Sequence, residues 1–256
     1  MGDYVDVNGH STWVDVRGDG AETVLLLHGG MSHSESLLTV LEPSLGDRYR
    51  LVAFDRRGHG RTADTAEPFH YDEMTDETEA VVEMVGGPVH IVGWSDGGII
   101  ALLLARRRPD LVGRLVVIGA NYHHDGMVDA DMPPDSQALL AIATEYGQLS
   151  PDGPDHFADV AVKSFTLFAS EPTMTTEDVA QIDAPTLVLV GDDDLITLSH
   201  TCALYEALPH GQLAVVPATS HFVPFEKPEL VARLVAEFLA GGPPETVMPV
   251  RRVTAT

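Results

Sequence analysis

The stretch Gly93-Trp94-Ser95-Asp96-Gly97-Gly98 constrains this chain more than any other. Before it, Val89-His90-Ile91-Val92 is a short β-branched run that reads as a buried strand. After it, Ile99 to Arg108 is rich in Ala, Leu and Arg, reads as a helix and stops at Pro109. Strand, G-x-S-x-G, helix is the arrangement that puts a nucleophilic serine on a tight, strained turn. Glycines are needed at 93 and 97 because side chains there would collide where strand and helix approach each other. Ser95 then stands at the sheet edge, beside its neighbour's backbone N–H at the helix N-terminus. An isolated G-x-S-x-G is a weak pattern; its flanks make this one a candidate site.

The rest of the chain supplies the sheet. Tyr4 to Val7, the Asn8-Gly9 turn and Ser11 to Val16 predict a hairpin. Thr23 to Leu27 is a continuous apolar run, as expected of a strand buried on both faces, and Leu51 to Phe54, Leu115 to Ile118, Thr186 to Val190 and Leu213 to Val216 read as further strands. Helical spacing recurs at about Glu35 to Leu41, Tyr71 to Val85, Ser199 to Ala207 and Pro228 to Leu239. This alternation predicts an α/β fold, a mostly parallel eight-stranded sheet with helices on both faces and the hairpin at one edge. Residues 1–120 and 182–240 are assigned to that core. Residues 121–181 are too long for a plain loop. With helical stretches near Asp135 to Tyr146 and Asp155 to Ala169, they are expected to form a small helical lid. The tail, 241–256, is expected to fray.

Composition narrows the function. With 39 acidic and 15 basic residues the net charge is −24, which argues against nucleic acid or anionic membranes as partners. The lone cysteine, Cys202, excludes an internal disulfide and cysteine-based zinc sites, and is expected to pack within a helix. The start has no basic region followed by an apolar run, and no apolar stretch approaches the ~20 residues of a membrane span. A soluble cytoplasmic protein is the expectation.

A serine hydroxyl is a poor nucleophile until a base takes its proton, and that base needs an anionic orienter. Gly191-Asp192-Asp193-Asp194 follows one predicted strand directly, and Ala218-Thr219-Ser220-His221-Phe222 follows the next. Carboxylates and an imidazole therefore emerge at the strand ends, where catalytic groups gather in open α/β sheets. The chain order is Ser, Asp, His.

With His28-Gly29, Asp55-x-Arg57-Gly58-x-Gly60, the elbow, Gly191-x-x-Asp194 and His221 followed by Glu226, residues 3–240 resemble the α/β-hydrolase fold family. The resemblance implies Ser95 as nucleophile, His221 as base and Asp194 as acid. The family places the acid three residues after the glycine, which selects Asp194 over Asp192 and Asp193. An alternative family position, after the preceding strand, holds Gly119-Ala120-Asn121 and no carboxylate. The resemblance also implies an oxyanion hole made by the N–H groups of Asp96 and Gly30, with Met31 as the alternative to Gly30. The elbow is similar to that of the valacyclovir-hydrolase and biphenyl-hydrolase-like branch, where the residue after the nucleophile helps hold a substrate α-amino group. Asp96, Met31 and Trp94 are accordingly the candidate substrate contacts. Relatives that cleave haloalkanes or epoxides carry Asp at the elbow centre, so Ser95 implies acyl transfer. His28, Arg57 and His59 read as loop structure, and His123-His124-Asp125 lacks a spaced further ligand for a metal site.

The expectation is a serine hydrolase that cleaves small-molecule carboxylic esters, with α-amino esters a candidate class through the Asp96 side chain, by way of an acyl-enzyme on Ser95, with no cofactor and no metal. A carbon–carbon bond hydrolase or lactonase with the same residues is the alternative, and a slow-turnover ligand receptor is the third reading. Oligomeric state is left open.

Overall fold

The computed structural model describes residues 2–128, 136–242 and 246–248. Its sheet is built from β1 (Asp3–Val7), β2 (His10–Arg17), β3 (Glu22–Leu27), β4 (Tyr49–Phe54), β5 (Val89–Trp94), β6 (Val112–Ile118), β7 (Thr186–Asp193) and β8 (Gly211–Ser220). The spatial order is β1-β2-β4-β3-β5-β6-β7-β8. β2 runs antiparallel to β1 and β4, whereas the pairs from β4 through to β8 are parallel. β3 has β4 on one side and β5 on the other, so the chain leaves β3 in one direction and returns to its opposite flank. Such a reversal of strand order opens a crevice beyond the carboxyl ends of the strands.

Alternation along each strand builds two cores. Leu25 and Leu27 face one cluster, and Val24 and Leu26 the other. The first is completed by α2 (Tyr71–Val85) and α3 (Asp96–Arg107), the second by α1 (Ser34–Leu45) and α9 (Pro228–Ala240). Between β6 and β7 lie α4 (Gln137–Leu149), α5 (Phe157–Phe168) and α6 (Thr176–Val179). α7 (Leu198–Ala207) links β7 to β8, and α8 (Val223–Glu226) follows β8. Among the described residues no helix is long and apolar enough to cross a membrane.

Several local expectations shift. α1 continues beyond Leu41 and through Pro43, because Leu45 is buried and holds the last turn against the core. β8 runs four residues past Val216, to Ser220. Cys202 is exposed rather than packed: α7 buries Thr201 and Leu204, and position 202 is turned off that face. The expected helix start at Asp135 and tail residues 243–245 and 249–256 lie outside the described residues.

Candidate active site

Each parallel strand delivers its next residue to one edge: His28, Asp55, Ser95, Gly119, Asp194 and His221. Ser95 sits at φ 53° and ψ −120°, backbone that a residue with a Cβ rarely adopts. The surrounding backbone over-determines it. Ser95 N–H donates to Ile118 O at 2.8 Å, and Ser95 O accepts from Gly98 N–H at 2.8 Å. A side chain at Gly93 would run into the backbone of Gly97, and one at Gly97 into the carbonyl of Leu27.

The strained turn aims the hydroxyl at an imidazole. His221 Nε2 is 2.9 Å from Ser95 Oγ, and His221 Nδ1 is 2.7 Å from Asp194 Oδ1. The Asp194 carboxylate is wholly buried and also accepts the N–H of Ile196 at 3.0 Å. Asp192 turns instead to the Thr219 N–H at 3.1 Å, and Asp193 is exposed. Asp194 is thus the member of the acidic run that meets His221. The loop bearing His221 is held twice. Glu226 accepts from the Ser220 N–H at 2.7 Å and from its hydroxyl at 2.8 Å, and Trp94 Nε1 donates to His221 O at 2.9 Å. Such a hydroxyl–imidazole–carboxylate chain can pass the serine proton to the ring while the carboxylate fixes its tautomer.

The remaining expected residues surround a cavity of about 800 Å³. Gly30, Met31, Trp94, Ser95, Asp96 and His221 all line it, as do Ile142 and Glu145 of α4 and Phe165 and Phe168 of α5. A Cβ on Gly30 would lie 2.7 Å from both Asp96 Oδ2 and Phe168 Cζ, so any side chain there would have to displace them. The ionisable lining includes Glu35, Asp96, Glu145 and Glu171, and among the described lining residues there is no Lys or Arg. His33 Nε2 meets Glu145 Oε1 at 2.9 Å, joining the start of α1 to α4 across the cavity wall.

Asp96 is only 3% exposed, and its carboxylate is met by the protein. Tyr71 Oη donates to Oδ1 at 3.0 Å, and Arg56 Nη2 lies 4.0 Å from Oδ2. Burial pushes the Asp96 carboxyl up from its ordinary value, against the pull of Arg56. Neither Tyr71 nor Arg56 was singled out from the sequence. The available signal was an arginine placed directly after a buried strand and Asp55.

His123, His124 and Asp125 bring ligand atoms within 4.8 Å of one another, yet they lie outside the cavity lining. His123 Nδ1 accepts the Asp125 N–H at 3.2 Å. His28 and His59 serve the loops. Burial, with Arg56 adding to it, drives His28 well below its ordinary value and His59 down to about 3. Unfolded, each titrates near 6.5, so below that pH the unfolded chain binds more protons. Their contribution is complete above pH ~6.5 and falls by ~1.4 kcal/mol per pH unit for each ring as acid is added. Urea unfolding at pH 6.5, 5.5 and 4.5 should show a slope shallower by about one proton in His59→Gln than in the native protein. Parallel slopes would refute this.

A model described as the alpha/beta hydrolase family matches residues 24–234. The proline iminopeptidase PfmaB of Pestalotiopsis fici is 26% identical over 281 residues, covering 93% of this chain and 99% of its own. The serine hydrolase BPHL of Mus musculus is 26% identical over 254 residues, covering 92% and 85%. Among solved structures, the meta-cleavage product hydrolase CumD of Pseudomonas fluorescens is similar at a TM-score of 0.74 and 23% identity, over 93% of this chain and 97% of its own. That likeness speaks for the fold.

Proposed function

This chain belongs to the alpha/beta hydrolase family, and from that premise we propose that it cleaves small carboxylic esters of uncharged acids through an acyl-enzyme on Ser95. The observation that carries the reading is the Ser95–His221–Asp194 chain of contacts at the wall of a closely lined cavity. Ser95 Oγ attacks the ester carbonyl as His221 Nε2 takes its proton, and Asp194 holds the imidazolium through Nδ1–H. The negative oxygen that forms is received by the N–H groups of Asp96 and Gly30, each worth ~3–4 kcal/mol in such a role. His221 returns the proton to the departing alcohol. Water, deprotonated by the same ring, then attacks the acyl group and releases the acid, restoring Ser95. α4 and α5 act as the cover that shapes the acyl site.

Charge supports the choice of substrate. A carboxylate carried into this cavity would meet Glu35, Glu145 and Glu171 with no Lys or Arg among the described lining residues to pair it, and burying an unpaired charge costs several kcal/mol. The Asp96 carboxylate, satisfied by Tyr71 and facing Arg56, has no need of a substrate ammonium. p-Nitrophenyl butyrate is expected to exceed mono-p-nitrophenyl glutarate by at least ~100-fold in kcat/KM, corresponding to ~2.7 kcal/mol. A protein labelled at Ser95 by a fluorophosphonate that nonetheless cleaves no ester of such a panel would overturn the ester reading.

A further inference from the structure

Arg56 is the largest of the fully buried side chains among the described residues. A guanidinium is kept in such a place only when it is paired and hydrogen-bonded. From the loop after β4 it reaches under the loop after β3. Its Nη1 donates to His28 O at 2.6 Å and its Nη2 to Gly29 O at 3.0 Å. The same Nη2 faces Asp96 Oδ2 at 4.0 Å. The backbone N–H of Arg56 donates to His28 Nε2 at 3.2 Å, which leaves the ring proton on Nδ1 to donate to Gly29 O at 2.7 Å.

We propose that Arg56 is a positioning residue of the oxyanion hole, fixing the Gly29–Gly30 peptide so that the Gly30 N–H is held toward the reacting carbonyl. This rests on the reading of Ser95 as the acylated nucleophile. In a trans peptide the C=O and N–H point in opposite directions. Holding Gly29 O on Arg56 and His28 therefore aims the Gly30 N–H the other way, and Gly30 lines the cavity wall that contains Ser95. A Cβ on Gly29 would lie 3.3 Å from Ser95 Cβ, which places this peptide beside the nucleophile.

Two adjacent glycines leave such a peptide free to rotate unless something holds it. A rotated peptide would present a carbonyl to the developing negative oxygen and turn stabilisation into repulsion. Two donors on one carbonyl also polarise the peptide, which makes its N–H a stronger donor. The planar fork of arginine reaches two successive carbonyls, whereas a lysine ammonium is a single point charge. Asp96 balances the buried cation and contributes the other oxyanion donor from its own backbone, so one ion pair joins the two halves of the hole.

The test compares Arg56→Lys, which keeps the charge and loses the fork, with Arg56→Met, which loses both. Three quantities are read: kcat and KM for p-nitrophenyl butyrate, the inhibition constant of an alkyl trifluoromethyl ketone that forms a tetrahedral adduct on Ser95, and the pH profile of kcat/KM. We expect kcat to fall about 30-fold in Arg56→Lys, which keeps part of the hold, and about 300-fold in Arg56→Met, the latter within the ~10²–10³-fold range seen when one oxyanion donor is removed. KM should stay within about threefold, ketone affinity should weaken in step with kcat, and the pH profile should not move, since His221 is untouched. Arg56→Lys decides the matter if Arg56→Met does not fold. A folded Arg56→Lys protein with unchanged kcat and unchanged ketone affinity overturns the proposal, as does a loss confined to thermal stability or KM. If the native protein cleaves no ester, the function reading fails instead, and adduct affinity, which needs no turnover, still tests Arg56.

Discussion

Ser95→Ala is expected to abolish ester hydrolysis, with kcat reduced by about 10⁶-fold, while the protein melts at the native temperature. Ser95 Oγ is the group that His221 Nε2 meets at 2.9 Å, and removing it leaves the ring with no proton to take and no bond to form. The fold should not register the change. Alanine and serine carry the same Cβ, so the cost of φ 53° is already met by the surrounding hydrogen bonds and glycines, and the Ser95 side chain makes no cap to α3. His221→Ala should be as severe, since the members of such a unit fail together. kcat for p-nitrophenyl butyrate and a melting curve check both. A Ser95→Ala protein that retained a tenth of native turnover would sink the assignment.

Asp194→Asn is expected to cost up to ~10⁴-fold in kcat with little change in fold. His221 Nδ1 and the Ile196 N–H meet the same oxygen, Oδ1, so an asparagine whose NH₂ takes that place donates to Nδ1 and turns its oxygen to the Gly191 N–H, at the cost of the Ile196 acceptor. The ring proton is then forced onto Nε2, facing Ser95 Oγ, and the base is present in the wrong tautomer. Asp192→Asn keeps an acceptor for Thr219 N–H and Asp193→Asn changes an exposed group, so both should stay within about threefold of native, below the tenfold that 1.4 kcal/mol represents. Kinetics of the three variants side by side provide the check. A larger loss in either neighbour than in Asp194→Asn would move the acid elsewhere.

The elements that were legible are those in which local chemistry and tertiary packing agree. Tyr71 to Val85 has helical spacing, is closed by Gly86 in a left-handed conformation, and forms α2 over that same span. The G-x-S-x-G turn declares itself because its glycines answer to contacts within a few residues, Gly93 against Gly97. α1 is the contrary case. Pro43 signals a helix end, but the burial of Leu45 outweighs that signal. Cys202 shows the same limit, since α7 is apolar enough on several sides that its buried face is set only by what packs against it.

By itself the sequence determined that His28, Ser95, Asp194 and His221 each follow an apolar strand run, and a parallel sheet then brings such residues to one edge whatever its details. It determined the net charge as well, and so an acidic molecule. The resemblance selects Asp194 among three consecutive aspartates, and the tertiary structure supplies the reason that it meets the imidazole: register and turn geometry separate side chains that are adjacent in the chain. Only the tertiary structure decided what satisfies Asp96. Tyr71 and Arg56 lie 25 and 40 residues before it, on a helix and a loop with no periodicity to mark them as partners. A carboxylate removed from water must take the donors that packing brings within reach, and that choice is made by the fold as a whole.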